Sequence, residues 1–354
     1  MIKYYFWLSL LFFFIVPVST VLAKHFDPIK IGVLAYRPIP ETLRRWKPLE
    51  GYLKEKIPAY DFIVEPLVFD DLRLAVASRQ IDFILTNPGY YIQLKQQYNL
   101  SSPLASLIKQ TRQQSLSAFA GVIFTLTART DINELKDLTH KRVAVTQIAS
   151  LGGYQMQGFE LIQAGLPLPT KERLHLTGMP HDNVVNAVLT GKVDVGFVRT
   201  GVLESLQESQ GLDLSQIKII NSQKVPSFPF KLSTRLYPEW PFAALSHIDS
   251  ELARHFTAAL LLIHEHEVHK DIGIKGFTIP MDYSPVEDVL RELRFPPFDA
   301  PPRFTIDDIW LQYPIQIKVG AVLVLMIVVL SLYLVIFNRR MAFQKQQTIE
   351  DGDR

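Results

Sequence analysis

The chain has 354 residues, of which 48% are hydrophobic, and its 37 Lys and Arg against 35 Asp and Glu give a formal net charge of +2. A balance so close to neutral, without a basic run interleaved with aromatic residues, argues against a nucleic-acid-binding surface. Cysteine is absent, which excludes disulfides, a thiol nucleophile and thiolate metal ligands.

The N-terminus has the pattern of a secretory signal sequence. Lys3 precedes the apolar stretch from Phe6 to Val18, and the small residue Ala23 follows at a position suited to cleavage. We therefore predict a signal sequence over residues 1–23 and export of the region that follows it. Cleavage would leave one membrane span in the chain, whereas an uncleaved signal would leave two.

Strand-like and helix-like stretches alternate from Ile29 onward. The apolar run IKIGVLA precedes an amphipathic segment in which Leu43, Trp46 and Leu49 recur at three-residue steps, and DFIVEPLVF, DLRLAVASRQ and IDFILTN follow. This βαβαβ order predicts an open α/β sheet. Such sheets bind ligands beyond the carboxyl ends of their strands.

The same alternation returns between KRVAVTQ (141–147) and VDVGFVRTG (193–201), which indicates a second lobe. We expect the chain to cross into it along SAFAGVIFTLTAR (117–129) and to return near IKIINSQ (217–223). The prediction is an exported ligand-binding domain over residues 24–304, with lobe 1 at about 24–120 and 222–295 and lobe 2 at about 121–221. Two lobes joined by two crossings enclose a cleft with a hinge.

The apolar run from Val319 to Phe337 carries no formal charge, and at about 1.5 Å per residue it nearly matches the hydrocarbon core of a bilayer. We predict a transmembrane helix over residues 319–337, preceded by a stem at 305–318. Arg339 and Arg340 follow the span directly, so the tail, 338–354, is expected in the cytoplasm and the main domain in the periplasm. The predicted location is the inner membrane, in a single pass. Because so short a tail cannot fold into a catalytic domain, signalling would need a separate partner.

One loop of the second lobe has the character of an anion site. In TQIASLGGYQMQG a strand ends and a helix begins after Ser150, leaving backbone N–H groups without intrahelical partners. Gly152 and Gly153 allow a ligand to approach the backbone, and Ser150 adds a hydroxyl donor. Taken alone, an ordinary N-cap serine is the better interpretation.

Two further loops strengthen the interpretation of this region as an anion site. TGMPHDNVV places His181 at the mouth of another helix, where it could donate to an oxyanion; a solvent-exposed histidine is an equal alternative. DVGFVRTGVLE ends an apolar strand in Arg199 and Thr200. The planar guanidinium of Arg199 suits a sulfur or phosphorus oxyanion, and a salt bridge to Glu204 or to a neighbouring residue is the alternative.

The first lobe offers Tyr36, Asn87 and Tyr90 near its own strand ends. HEHEVH (264–269) raises the question of zinc, but His264 and His266 would point about 200° apart on a helix, and we predict no metal site. No nucleophile and base are spaced to work together, so the chain is not expected to be an enzyme, and no cofactor is expected.

Several of these stretches, in this order, resemble the phosphate/phosphonate-binding type of periplasmic solute-binding protein over about residues 28–295: IGVLAYRPIPETLRRWKPLEGYL, FDDLRLAVASRQIDFILTNPGYY, DLTHKRVAVTQIASLGGY and TGMPHDNVVNAVLTGKVDVGFVRTGVLE. The VRTGVLE and STRLYPEWPFAA segments are most similar to the sensory input domains of tetrathionate-type sensor histidine kinases. The resemblance implies a two-lobed α/β fold of the type 2, Venus-flytrap class. It also implies anion contacts from the helix start at 150–153, from His181 and, across the cleft, from Tyr90. Arg199 stands where members that bind aminoalkylphosphonates tend to place an acidic group, which argues against an amine-bearing ligand.

The expected function is a membrane-tethered periplasmic binding protein that recognises a small oxyanion, phosphate/phosphonate-like or of sulfur, as sensory input to a separate partner such as a sensor kinase. The alternative is the substrate-binding component of a phosphate/phosphonate-type ABC transporter, delivering ligand to a permease, with the span as a mere anchor. The predicted ligand-binding residues are Tyr36, Trp46, Asn87, Tyr90, Ser150, Leu151, Gly152, Gly153, His181, Arg199 and Thr200.

Overall fold

A computed structural model describes residues 27–111, 114–300, 309–310 and 312–352, with residues 342–352 described by their backbone alone. The predicted signal sequence, parts of the predicted stem and the last two residues of the tail lie outside the described residues. The strands are β1 (Ile29–Leu34), β2 (Phe62–Leu67), β3 (Phe83–Leu85), β4 (Ala105–Gln110), β5 (Ser115–Leu116), β6 (Ala118–Phe119), β7 (Gly121–Leu126), β8 (Val143–Val145), β9 (Leu174–Leu176), β10 (Val195–Arg199), β11 (Ile217–Ile220), β12 (Tyr237–Pro238), β13 (Pro241–Ala244) and β14 (Ile274–Thr278).

Helices connect most of these strands. They are α1 (Ile39–Trp46), α2 (Pro48–Lys56), α3 (Phe69–Ala77), α4 (Pro88–Tyr98), α5 (Met156–Gln163), α6 (Asp182–Leu189), α7 (Val202–Gln210), α8 (Ser250–Leu262), α9 (Val268–Ile272), α10 (Ser284–Glu292) and α11 (Pro314–Gly352). A π-helical turn, Leu151–Gln155, opens α5. Short 3-10 helices lie at Leu135–His140, Leu214–Gln216 and Ile263–Glu265.

The first sheet has the strand order β14-β4-β13-β3-β1-β2, with β5 paired to β4. β1 pairs in parallel with β2 and β3, so that Ile31 lies opposite both Val64 and Phe83. β13 runs antiparallel to β3 and to β4, which leaves the carboxyl ends of β1, β3 and β4 at the same edge. Helices pack on this sheet from α1 to α3 and again at α8, and β1 is buried along almost its whole length, as a helix-covered parallel strand requires.

The second sheet has the order β11-β7-β10-β8-β9. β8 pairs in parallel with β9 and β10, while β7 runs antiparallel to β10 and β11. Its core is apolar, with Phe124 and Phe197 fully buried. α5 packs on β7 and α6 on β10, so the carboxyl ends of β8 and β10 lie beside the starts of the helices that follow.

Two short paired strands connect the sheets. β6 leads from the first sheet into β7, and β12 leads from the second sheet back to β13. β6 and β12 are antiparallel to each other, with Phe119 opposite Tyr237 and Ala118 opposite Pro238. The two connections therefore form one two-stranded hinge, and α10 adds a further link because it packs against both α4 and α5.

Residues from Ala300 onward form a compact unit of their own. Within α11, the segment Pro314–Met341 is long and apolar enough to cross a membrane, judged by length and composition. It contains the predicted span, 319–337. The backbone stays helical to Gly352, through most of the predicted tail.

Candidate functional site

Polar residues stand at the carboxyl ends of strands in both sheets. Tyr36 follows β1, Asn87 follows β3, Thr146 follows β8, and Arg199 ends β10. All four are buried or half-buried. Strand ends of a doubly wound sheet are where such folds bind ligands, so this edge of each lobe is the candidate site.

The centre of the site is the start of the helix after β8. The N–H of Gln155 donates to the carbonyl of Ser150 over 3.1 Å, a five-residue step that defines the π turn. Ser150 is buried, and its hydroxyl makes no capping hydrogen bond, so it does not act as an ordinary N-cap. The first N–H groups of this helix have no intrahelical acceptor.

Gly153 lies beneath a cluster of polar side chains. A methyl group added at its Cα would stand 2.8 Å from His181 Cε1, 2.8 Å from Ser150 Oγ and 2.9 Å from Thr146 Oγ1. Among the described residues, Thr146 Oγ1 and His181 Nδ1 are buried and have no hydrogen-bond partner. We call the cluster of Thr146, Ser150, Gly153 and His181 the helix-start pocket.

His181 is buried, with 3% of its surface exposed, so the alternative of a solvent-exposed histidine is wrong. Burial, together with the positive charges of Arg199 and Arg37, lowers the pKa of His181 to about 3. The imidazole is therefore neutral at physiological pH. A neutral imidazole has one N–H to donate, which suits an oxyanion without adding a charge to the pocket.

Arg199 is held by a buried ion pair. Its Nη2 donates to Glu239 Oε1 over 2.7 Å, and both side chains are almost fully buried. The guanidinium lies over two rings, 5.5 Å from the Tyr36 centroid and 4.5 Å from that of Phe119. Its Nε is buried without a partner among the described residues, so one donor remains for a ligand.

The salt-bridge alternative for Arg199 is therefore observed, but with Glu239 and not with Glu204. Glu204 instead accepts from the Lys231 N–H over 2.9 Å. The hydroxyl of Thr200, beside Arg199, accepts from the Ala120 N–H over 3.2 Å. Thr200 therefore fastens β10 to the hinge.

A cavity of about 350 Å³ opens beside Arg199, between the lobes. Its lining includes Tyr36, Arg45 and Lys109 from the first lobe, and Arg199, Gly201 and Ser205 from the second. We call it the cationic cavity. Burial raises the pKa of Tyr36, but the charges of Arg45, Lys109 and Arg199 outweigh burial and lower that pKa to about 8.

An ion pair between the lobes lies beside this cavity. The Arg37 guanidinium pairs with Asp182, at the start of α6, and also with Glu41 in α1 at 3.1 Å.

The sequence of this domain matches the model of a known family. A family model for the periplasmic substrate-binding protein of phosphonate ABC transporters matches residues 31–283. The chain belongs to this phosphonate-binding family. The resemblance expected from the sequence is confirmed, and the family is one of binding proteins.

A relative with a sensory role also matches. The tetrathionate sensor histidine kinase TtrS of Salmonella typhimurium is 30% identical over 233 residues, which are 65% of this chain and 38% of TtrS. The chain thus spans well under half the length of that relative.

Solved members of the phosphonate-binding family share the fold. PhnD1 from Prochlorococcus marinus, in complex with methylphosphonate, aligns with a TM-score of 0.58 at 17% identity, over 75% of this chain and 98% of PhnD1. The binding-protein component PA3383 of a Pseudomonas aeruginosa ABC phosphonate transporter aligns with a TM-score of 0.60 at 14% identity, over 76% of this chain and 88% of PA3383. The predicted two-lobed α/β fold is confirmed by these likenesses.

Within this family fold, the structure brings together the second-lobe residues of the prediction. Ser150, Gly153 and His181 surround the helix-start pocket, and a methyl group at Gly152 would stand 2.8 Å from Arg199 Cβ. Leu151 is fully buried and packs with the first-lobe core.

The predicted residues of the first lobe are more dispersed. Tyr36 faces the cationic cavity, and its hydroxyl accepts from Arg45 Nη1 over 2.8 Å. Asn87 caps α4 by accepting from the Tyr90 N–H over 3.0 Å. The Tyr90 hydroxyl donates to the Phe69 carbonyl over 2.6 Å, so its proton is already used within its own lobe. Trp46 is buried in the first-lobe core.

Sequence reasoning missed three cations: Arg37, Arg45 and Lys109. Lys109 lies near the carboxyl end of the largely apolar strand β4. A lysine at the end of such a strand could have been recognised in the sequence as a candidate for the cleft. Arg45 offered none, because a basic residue on the polar face of α1 is indistinguishable in sequence from a solvent-facing one.

Proposed function

We propose that this protein is a membrane-tethered periplasmic receptor that binds a small oxyanion between its lobes and provides the sensory input to a histidine kinase. The observation that carries the proposal is the pair of buried, unpartnered polar atoms, Thr146 Oγ1 and His181 Nδ1, that flank Gly153 at a helix start.

Such atoms are costly unless something binds them. A buried donor or acceptor left unsatisfied costs about 1–3 kcal/mol, and protein structures rarely tolerate several in one place. An oxyanion in the helix-start pocket would satisfy them together with the free N–H groups of the helix start, which also favour negative charge. The donors there are neutral, so the ligand supplies the charge.

The balance of charge beyond the pocket also favours an anion over an amine. Arg199 ends β10 at the cleft, and its carboxylate partner, Glu239, is already neutralised by the ion pair. A ligand ammonium would meet Arg45 and Lys109 in the cationic cavity. An oxyanion of phosphorus or sulfur fits better than an aminoalkylphosphonate.

The TtrS likeness favours the sensory role over transport, and the apolar helix that follows the domain fits a membrane-tethered sensor. Closure around a ligand shifts an equilibrium only by the difference in affinity between open and closed states. In the proposed mechanism, that preference is passed to the membrane segment, and Arg339 and Arg340 beside it favour a cytoplasmic position for the kinase side.

Binding is tested by thermal unfolding of the full chain in detergent with phosphate, methylphosphonate, sulfate, thiosulfate and tetrathionate. An anion that binds only the folded state raises the midpoint with concentration. We expect one or more to do so, and Ser150→Ala and His181→Gln to reduce the shift. His264→Ala, exposed and outside the cleft, is the control and should respond as wild type. No shift with any anion would refute the proposal.

Signalling is tested by a chimera in which residues 1–341 replace the corresponding part of TtrS in Salmonella, with a reporter for kinase output. We expect output to change with the anion that raises the midpoint. Output that ignores an anion shown to bind would leave a binding protein without a sensory role.

A further inference from the structure

In the part of the chain that the structure describes, two cations of the cationic cavity have no carboxylate partner. Arg45 donates only to neutral acceptors, namely the Ile272 carbonyl at 2.8 Å, the Tyr36 hydroxyl at 2.8 Å and the Gly273 carbonyl at 3.2 Å. The Lys109 ammonium has no hydrogen-bond acceptor among the described residues, and it lies 5.9 Å from the centroid of the Phe230 ring.

The remaining cations of the cavity are compensated. Arg37 pairs with Glu41 and Asp182, and Arg199 pairs with Glu239. The cavity therefore holds an excess of positive charge that comes from Arg45 and Lys109.

The environment of Lys109 shows what this excess does. Burial, followed by repulsion from Arg199 and Arg45, lowers the pKa of the Lys109 ammonium, although Tyr36 and Glu239 partly oppose the shift. A half-buried ammonium without an acceptor is unfavourable on its own. An anion placed against the Lys109 ammonium would offset the repulsion and would accept the hydrogen bonds that the ammonium lacks.

Arg199 lies between the cationic cavity and the helix-start pocket. Arg199 lines the cavity, and its Cβ is 2.8 Å from the position of a methyl group on Gly152, in the helix start itself. Lys109 Nζ is 3.6 Å from the corresponding position on Gly201, so this first-lobe side chain reaches the second lobe. A ligand that binds at both places must therefore extend along Arg199.

We propose that the ligand carries two anionic groups, one bound in the helix-start pocket and the other between Arg45 and Lys109 in the cationic cavity. The substrate class is an elongated dianion with an acidic oxyanion group at each end. Lys109 then determines specificity, because its ammonium attracts the second negative charge of the ligand and repels a ligand ammonium. This inference rests on the proposed function, since it requires the helix-start pocket to bind the first group.

The test is isothermal titration calorimetry of the full chain in detergent, at matched ionic strength because salt screens charge interactions. The dianions are tetrathionate and propanedisulfonate, and propanesulfonate is the singly charged match. Lys109→Gln should weaken dianion binding on the order of tenfold or more, since a hydrogen bond to a charged group is lost, and should change propanesulfonate binding little. Lys109→Arg, which keeps the charge, should retain most of the preference.

Lys192→Gln is the control for the removal of one lysine charge. Lys192 is exposed and precedes the amino end of β10, at the opposite end of the strand from Arg199, and it should leave all affinities unchanged. Equal effects of Lys109→Gln on both kinds of anion, or none on either, would overturn the inference.

The two proposals fail differently. If propanesulfonate binds through Ser150 but the dianions bind no better, the helix-start pocket stands and the second site is refuted. If no anion binds, or Ser150→Ala changes nothing, the proposed function itself is refuted.

Discussion

Substituting Gly153 by alanine should close the helix-start pocket. The added methyl group would stand 2.8 Å from His181 Cε1, 2.8 Å from Ser150 Oγ and 2.9 Å from Thr146 Oγ1, all shorter than real methyl contacts. These are the groups that an oxyanion would need, so the methyl group displaces the ligand and pushes its donors apart.

The magnitude follows from what is lost. A ligand deprived of two hydrogen bonds to its charge, at about 1.5–3 kcal/mol each, should bind at least about a hundredfold more weakly. Overpacking costs about 1–3 kcal/mol of stability, and the change from glycine to alanine in a helix returns about 0.5–1 kcal/mol. The expected net loss of unfolding free energy is about 1 kcal/mol, so the protein should still fold.

The assay is calorimetric titration with the anion that raises the thermal midpoint most. Gly51→Ala is the matched control, because Gly51 is exposed in α2 and a methyl group there meets nothing within 4 Å. It should raise the midpoint slightly and leave affinity unchanged. Wild-type affinity in Gly153→Ala would refute our assignment of the pocket.

Three further predictions concern charge. The pKa of His181 falls from an ordinary 6.5 to about 3 on folding, so the unfolded chain binds a proton that the folded chain does not. As pH falls from about 6.5 toward 3, the wild type should therefore lose up to about 1.4 kcal/mol per pH unit more than His181→Gln; parallel plots of thermal midpoint against pH would contradict this. Glu239→Leu leaves Arg199 buried and unpaired and should cost about 3–5 kcal/mol of unfolding free energy in urea, much of it recovered by adding Arg199→Met; a loss below about 1 kcal/mol would show that the pair is not structural. Arg37→Ala and Asp182→Ala should be coupled in ligand affinity by about 0.2–1 kcal/mol in a double-mutant cycle, because the pair joins the lobes, and strictly additive effects would argue otherwise.

The two-lobed fold was accessible from sequence because its signals are local. Alternating apolar strands and amphipathic helices predict a doubly wound sheet, and a second set of the same pattern predicts a second lobe. The strand and helix start around Ser150 and the apolar strand ending in Arg199 needed no tertiary information. Parallel strands end at one edge of a sheet, and in folds of this kind that edge borders the cleft. A position at a strand end was therefore both the feature that could be recognised in the sequence and the feature that brings these residues to the cleft.

The sequence could not predict which side chains form ion pairs and hydrogen bonds with residues distant in the chain. Glu204 follows Arg199 closely in the sequence and was a natural ion-pair candidate, but Glu239, 40 residues onward beside the hinge, binds the guanidinium. Tyr90 lies in the first turn of α4, shortly after β3, yet its hydroxyl donates to the Phe69 carbonyl and not to the cleft. Both outcomes depend on the packing of distant segments, which periodicity does not encode.

The hinge strand β6 also reaches the binding site. Phe119 pairs with Tyr237 in the hinge, while its ring lies 4.5 Å beneath the Arg199 guanidinium and would be 2.9 Å from a methyl group on Gly152. Any bend of β6 must therefore shift the surface on which Arg199 rests. Thermodynamic linkage is reciprocal: if bending of β6 changes ligand affinity, ligand binding must change the bending of β6 by the same free energy. A ligand that fixes Arg199 therefore also stiffens the hinge. Substitutions at Phe119 should consequently change affinity and the angle between the lobes together, and no hinge variant of this protein is expected to alter one alone.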